Sequence, residues 1–188
     1  GVITEVTVKI LKSPEVVKAA LIGFPSIEDA GNCVAQIIAQ GCIPAGMEIM
    51  DKALTKATND YSKAGYPVNA EAMMIVEFDG TEHEVEAYMN KAKKIAEDNN
   101  SSSLKISKTN EERLKFWAGR KAAFPACGVL APDYMCMDGS IPRGKLAEVL
   151  NEITRLSKKY DLPVANAFHA GDGNLHPLIM FDANNKES

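Results

Sequence analysis

Near its end the chain reads His169-Ala170-Gly171-Asp172-Gly173-Asn174-Leu175-His176, a stretch that predicts a β-hairpin. The dipeptide Asp172-Gly173 favours a two-residue type I′ turn, because both central positions of that turn need a positive φ. With this turn, His169 lies directly opposite His176. Opposed residues of antiparallel strands have Cβ atoms about 4.5–5.5 Å apart on one face. The two imidazoles are therefore placed to share a metal ion or an anion.

Alternation along the hairpin divides its side chains between two faces. The histidine face is otherwise mostly small, which predicts an open shelf for a ligand; it comprises Ala165, Ala167, His169, Gly171, Asn174, His176, Leu178 and Met180. The other face suits a core, with Val164, Phe168, Leu175, Ile179 and Phe181, and is interrupted by Asn166, which needs a partner if buried. The alternative is that the histidines are ordinary polar strand residues. Two ligands alone do not complete a zinc site, which takes three or four.

The composition is that of a globular protein. Of 188 residues, 46% are hydrophobic and 24% charged, and the net charge of −4 provides no basic surface for nucleic acid. No apolar run approaches the roughly 20 residues of a membrane span. The four cysteines form no CxxC pair, so buried reduced thiols are expected ahead of disulfides or a cysteine metal site. A cytoplasmic location is the expectation.

Helix caps and apolar stripes predict four helices, which begin at Ser26, Thr81, Thr109 and near Gly144. Apolar runs predict strands at the start of the chain (1–4) and over 16–24, 72–78, 104–107 and 134–138, with the hairpin over about 164–181. The segment 43–67 is a connector in which a strand passes into a helix.

The strands predicted over 16–24 and 72–78 each lead through a turn into a capped helix, which is a weak internal repeat. We therefore predict an α+β fold, with an antiparallel sheet flanked by helices and ferredoxin-like repeats. The whole chain, 1–188, is expected to be one domain, with 1–66 and 67–188 as possible sublobes.

Two cationic segments have two interpretations each. Arg120 is either a solvated cation at a helix end or a fork for a substrate carboxylate. Arg143 and Lys145 stand at a helix start that could attract an anion, although a solvated surface is the simpler interpretation. His83, at the start of another helix, is expected at the surface.

Four segments together carry a family resemblance: VANAFHAGDGNLHPLIMFD, FWAGRKAAFPA, YMCMDGSIPR and the opening GVITEVTVKI. They resemble the FAD-linked 2-hydroxyacid dehydrogenases, a family that includes the flavin subunit of glycolate oxidase and D-lactate dehydrogenases. The resemblance covers essentially the whole chain. It implies a truncated C-terminal substrate-binding (cap) domain, which closes over FAD bound mainly by a separate domain that this chain lacks.

The resemblance also implies an activity and roles for particular residues. Relatives oxidise glycolate, D-lactate or a similar 2-hydroxy acid to the 2-oxo acid, with hydride transfer to FAD. His169 and His176 correspond to ligands of a divalent metal that holds the substrate, Asn174 to a contact at the substrate and flavin edge, and Arg120 to a contact of the substrate carboxylate. His176 is the local candidate for the catalytic base.

Further expectations concern completeness and partners. A downstream segment of the GEHGIG type, absent here, supplies relatives with a glutamate ligand and another histidine, so the isolated chain is expected to be inactive. The resemblance implies other glycolate oxidase subunits, including an iron–sulfur subunit, at the inner face of the cell membrane. The alternative function is a non-catalytic, ferredoxin-like module for carboxylate binding or assembly, in which the histidines are structural.

Overall fold

A computed structural model describes residues 1–10 and 12–187 of the chain. Its strands are β1 (Val16–Phe24), β2 (Gly46–Asp51), β3 (Ala72–Gly80), β4 (Ser103–Ile106), β5 (Asp133–Cys136), β6 (Gly139–Ser140), β7 (Val164–His169) and β8 (Asn174–Phe181). Its helices are α1 (Ile27–Ala39), α2 (Lys52–Ser62), α3 (Glu82–Asp98), α4 (Asn110–Lys121), α5 (Ala123–Ala126) and α6 (Leu146–Tyr160). Two short 3₁₀ turns follow α5 and precede α6.

One antiparallel sheet runs through these residues in the order β4-β1-β3-β2-β7-β8-β5, and β6 adds to β8. Its first half is a ferredoxin-like β-α-β-β-α-β unit, β1-α1-β2 followed by β3-α3-β4, with α2 inserted between β2 and β3. The predicted α+β class and antiparallel sheet are confirmed. The division into sublobes stays a prediction, and β2 and β3, on either side of its boundary, are paired with each other.

Helices cover both faces of the sheet, so the middle strands are buried on both sides. One core lies under α1, α3 and α6 and includes Ile22, Phe24, Ile49, Met74, Phe78 and Phe168. The other lies under α2, α4 and α5 and includes Leu21, Met50, Leu54, Ile75, Phe116 and Leu178. Burial on both faces explains why β1 and β3 are nearly continuous apolar runs rather than alternating ones.

The four predicted helices are confirmed as α1, α3, α4 and α6, although α6 begins without a side-chain cap. The connector 43–67 contains β2 and α2 as predicted. The strand predicted at residues 1–4 is wrong: residues 1–10 are exposed and belong to no helix or strand, because no neighbouring strand among the described residues pairs with them. Three cysteines are buried free thiols, but Cys136 is exposed, because it lies on β5 at the margin of the sheet.

The hairpin forms, but its predicted register is wrong by two residues. His169 is opposite Asn174, and His176 is opposite Ala167. The Asp172 N–H donates to the His169 carbonyl at 3.0 Å, which closes a longer loop in which only Gly173 has a positive φ (72°). Gly173 is held by the segment after β6, because the Ile141 N–H donates to its carbonyl at 2.9 Å.

Asn166, the polar residue on an apolar hairpin face, is buried and donates a hydrogen bond to a carboxyl group. Its Nδ2 donates to Asp51 Oδ2 at 2.8 Å, while Asp51 Oδ1 accepts the Leu54 N–H and so caps α2. Burial raises the pKa of the Asp51 carboxyl to about 6, against the hydrogen bonds from Leu54 and Asn166 that lower it.

This raised pKa makes stability depend on pH in a defined direction. The folded protein holds the Asp51 proton up to about pH 6, whereas the unfolded chain releases it near 3.8. Stability therefore falls as pH rises between these values, by up to roughly 3 kcal/mol. The Asp51→Asn variant keeps the helix cap but not the charge. We expect it to gain stability over the natural protein between pH 4 and 6, measured by urea denaturation.

The exposed Asp60 on the same helix gives the matched control Asp60→Asn. If Asp51→Asn changed the free energy of unfolding by the same amount at pH 4 and at pH 7, the raised pKa of Asp51 would be contradicted.

Candidate active site

The two hairpin histidines lie next to each other at the end of the sheet where β7 runs into its loop. Because a shift of two residues keeps every side chain on its face, His169 and His176 remain on one face as diagonal neighbours. Their ring centroids are 5.1 Å apart and their planes are nearly perpendicular, at 88°. The structure thus confirms the pairing of the imidazoles while correcting the register that produces it.

Glu48 is a buried carboxylate that joins the histidine pair to Arg120. It lies on β2 opposite His169, and its Oε1 is 2.6 Å from His169 Nδ1. Its Oε2 accepts from Arg120 Nε at 3.0 Å. Glu48 and Arg120 are each only 7% exposed. A buried charge of this kind needs an opposite charge and full hydrogen bonding, and Glu48 receives both.

The carboxylate also decides which nitrogen of His169 is free. An ionised carboxylate can only accept hydrogen bonds, so in the neutral imidazole His169 donates its Nδ1–H to Glu48 and the lone pair is on Nε2. The His169 side chain is 46% exposed. Nε2 is thus the nitrogen with which His169 can bind a ligand.

Arg120 is held on α4 with part of its guanidinium unused. Its Nε is bound to Glu48, and its Nη groups make no hydrogen bond to the described residues. The interpretation of Arg120 as a solvated helix end is excluded by its burial. The free Nη groups retain donors of the kind that bind a carboxylate.

His176 lies deeper than His169 and is biased toward its neutral form. Burial and the nearby His169 hold the pKa of His176 below its ordinary value of 6.5, although Asp138 opposes this shift. Asp138 Oδ1 is 3.6 Å from His176 Nδ1 and accepts from Asn174 Nδ2 at 3.3 Å. Asn174 Oδ1 is buried without a hydrogen-bond partner in the described part of the chain. Asn174 thus offers an unused acceptor beside the histidines.

A cavity of about 210 Å³ opens beside this group of residues. Its polar lining includes Glu48, His169, Asp172 and Arg143, and Gly46 contributes to its wall. The structure therefore brings one of the helix-start cations, Arg143, to the site. His83 is exposed on α3, as predicted.

The open shelf predicted along the histidine face exists only at its histidine end. Ala165 and Ala167 are buried in the core under α2, α4 and α5, together with Leu178 and Met180. The small side chains make room for these helices rather than for a ligand. The sequence contained no signal that helices, and not a ligand, cover this part of the face.

Glu48 is the functional residue that sequence reasoning missed. It stands in the run Met47-Glu48-Ile49-Met50, where one acidic residue interrupts an otherwise apolar strand. Charged residues are almost never fully buried unless they are paired. A lone carboxylate within an apolar run of the segment 43–67 was thus the available signal for a paired site.

The fit of these residues to a divalent metal is partial. His169 Nε2 and His176 provide two nitrogen donors at close range, and the Glu48–His169 hydrogen bond is the usual support of a metal-binding imidazole. Residues 1–10 and 12–187 contain no cluster of three or more His, Cys, Asp or Glu side chains arranged to hold a metal. Within these ranges the histidine pair supplies part of a ligand set and not the whole.

The sequence matches the family described as FAD linked oxidases, C-terminal domain, over residues 13–188. The chain belongs to this family. It is 52% identical over 184 residues to glycolate oxidase subunit GlcD of Escherichia coli K12, covering 98% of this chain and 37% of the relative. It is 34% identical to GlcD of Bacillus subtilis (100% and 40%) and 30% identical to a mitochondrial D-lactate dehydrogenase [cytochrome] of Arabidopsis thaliana (100% and 33%).

The chain thus spans a third to two-fifths of the length of these relatives. Among solved structures, p-cresol methylhydroxylase with substrate bound has a TM-score of 0.67 at 11% identity, over 92% of this chain and 40% of that one. A 4-ethylphenol oxidase from Gulosibacter chungangensis has a TM-score of 0.63 at 10% identity, over 95% and 42%. These similarities support the fold. In the described ranges, no helix is both long and apolar enough to cross a membrane.

Removing the charge of Glu48 should be costly. In Glu48→Gln the Arg120 guanidinium remains buried without its counter-charge, so we expect a loss of about 3–5 kcal/mol in the free energy of unfolding. The matched control is Glu152→Gln, which breaks the exposed Glu152–Arg155 pair and should leave the free energy of unfolding nearly unchanged. Urea denaturation of both variants measures the difference, and equal losses would contradict the role given to Glu48.

The pKa of His176 should lie below the ordinary value for a histidine. We expect the NMR titration midpoint of its Cε1–H to lie below 6.5, since burial and His169 both disfavour its cationic form. In His169→Ala the midpoint should move upward, because one of these two causes has been removed. A midpoint at or above 6.5 in the natural protein would show that Asp138 dominates instead.

Proposed function

We propose that this chain is the substrate-binding part of an FAD-dependent oxidoreductase that converts glycolate, D-lactate or a similar 2-hydroxy acid to the 2-oxo acid. The observation that carries the proposal is the buried Glu48 carboxylate, which holds Arg120 and His169 at one place. An anion-binding cation thus stands beside a pair of imidazoles. Membership of the FAD-linked oxidase family and the names of the relatives support the same function.

Arg120 binds the substrate carboxylate through its free Nη groups. Its Nε is committed to Glu48, which restrains the guanidinium before the substrate arrives. A planar guanidinium can form two parallel hydrogen bonds with a carboxylate, so it fixes the orientation of the acid as well as its charge. This orientation presents the C2 hydroxyl toward the histidines.

His176 accepts the proton of the substrate hydroxyl at its Nε2. Its lowered pKa keeps the imidazole neutral at physiological pH, which is the form that a general base needs. Asn174 Oδ1, the buried acceptor without a partner in the described residues, fits a hydrogen-bond donor at the substrate or at the adjoining edge of the flavin. FAD, when bound, supplies the acceptor for the hydride that leaves C2.

A divalent metal is part of the proposal, and His169 Nε2 and His176 would hold it. The metal would supply Lewis acidity that lowers the pKa of the substrate hydroxyl. A third ligand comes from outside the residues described. If both imidazoles bind the metal, the proton passes to a base elsewhere in the complete protein, so His176 acts either as base or as ligand and not as both.

The partners follow from the relatives. GlcD is by name a subunit of glycolate oxidase, and we propose that this chain likewise works with other subunits, among them an iron–sulfur subunit that receives the electrons. We place the assembly in the cytoplasm, at the inner face of the cell membrane. A complete FAD-binding domain is required for turnover.

The test uses the full-length protein with FAD bound. We expect His169→Ala and His176→Ala each to lower kcat with glycolate and D-lactate by about 10²–10⁴-fold, because each removes a group at the reacting hydroxyl. Turnover is measured with an artificial electron acceptor, and bound metal is measured by elemental analysis. Both variants should lose metal and retain FAD.

His83→Ala replaces the exposed histidine of α3 and serves as the matched control. If His169→Ala and His176→Ala turn over both acids as fast as this control, the histidines are structural and the chain is a binding or assembly module.

A further inference from the structure

A second carboxylate, Glu77, meets the same helix that carries Arg120. Glu77 lies on β3 opposite Gly46 of β2, on the sheet face that also carries Glu48. Its Oε2 accepts from Trp117 Nε1 at 2.6 Å and from Arg113 Nη1 at 3.0 Å. The side chains of Glu77 and Arg113 are 14% and 19% exposed, so this ion pair is poorly screened by solvent.

These contacts form a stripe along α4. Arg113, Trp117 and Arg120 are spaced by four and three residues, which puts them on one face of the helix. The stripe covers seven residue steps, about 10 Å along the helix. Glu77 and Glu48, on adjacent strands, thus bind one face of α4 at two places along its length.

Close packing leaves α4 little freedom to slide. A Cβ added to Gly46 would come within 3.0 Å of the Trp117 ring, and one added to Gly119 would come within 2.3 Å of the Tyr66 hydroxyl. That hydroxyl donates to the Phe116 carbonyl at 2.5 Å. Gly46 also lines the cavity beside His169, so the Trp117 indole lies directly behind the wall of the site.

We propose that Glu77 is a positioning residue for substrate binding: by holding Trp117 and Arg113, it fixes α4 where Arg120 meets the substrate carboxylate. The inference rests on the proposed function, because that function assigns the substrate carboxylate to Arg120. Glu77 itself touches neither His169 nor His176. Its effect should appear in substrate affinity rather than in the chemical step.

The first readout follows the contact itself. Trp117 is the single tryptophan of the chain, so its indole N–H gives one NMR signal. In Glu77→Ala this signal should move toward the position of a solvent-exposed indole, because the acceptor is gone. In Glu77→Gln it should stay close to its natural position, because the amide oxygen still accepts.

The second readout is kinetic and uses the full-length protein with FAD bound. We expect Glu77→Ala to raise KM for glycolate about tenfold with kcat changed less than threefold, the magnitude of one lost hydrogen bond to a charged group. Glu77→Gln should keep KM within threefold of the natural value. Glu152→Ala, at an exposed pair on α6, is the control for a surface carboxylate.

The Arg120→Lys variant distinguishes a failure of the positioning role of Glu77 from a failure of the proposed function. If Arg120→Lys raises KM while Glu77→Ala leaves it unchanged, the positioning role of Glu77 is wrong and the proposed function stands. If Arg120→Lys leaves KM unchanged, the proposed function itself fails. An equal fall of kcat in Glu77→Ala and Glu77→Gln would also overturn the inference, because it would indicate general damage to the fold.

Discussion

The structure depends on one buried carboxylate that must be paired. Glu48 cannot stay ionised inside the protein unless a cation and hydrogen-bond donors accompany it. Arg120 and His169 meet that requirement, and they come from elements far apart in sequence. Glu48 on β2 therefore joins α4, on one face of the sheet, to the β7–β8 hairpin.

The location of the site follows from how the sheet is extended. The ferredoxin-like half supplies β2, and the hairpin β7–β8 adds to it directly. Glu48 faces His169 where β2 pairs with β7, and α4, which follows the ferredoxin-like unit in sequence, brings Arg120 to the same carboxylate. Neither half contains the constellation alone. The contact between Glu48 and His169 thus also joins the hairpin to the ferredoxin-like unit.

Much of the fold was readable because local signals and tertiary structure agreed. The caps at Ser26, Thr81 and Thr109 satisfy N–H groups within the same helix turn, so no distant residue was needed to find them. The register of the hairpin was not readable, because Ile141, in the segment after β6, holds the loop by a hydrogen bond to the Gly173 carbonyl. A turn dipeptide carries no information about a neighbour thirty residues earlier.

The site was half readable for the same reason. The family resemblance predicted roles for His169, His176, Asn174 and Arg120. Glu48, which contacts His169 and Arg120, lies in the segment that the sequence predicted only as a connector. What joins these residues is distance in space, which spacing along the chain does not encode. The one local sign was a single acidic residue in an otherwise apolar run.

The alternation of side chains along β8 has a consequence for how this site can vary. A slip of β8 against β7 by two residues changes the facing partners but returns each side chain to its own side of the sheet. A slip by one residue would turn His176 into the core beneath α1 and α6 and bring Leu175 to the site. The histidine pair therefore depends on the pairing of the two strands and not on the length of the loop, so the loop can take up inserted residues wherever that pairing is kept.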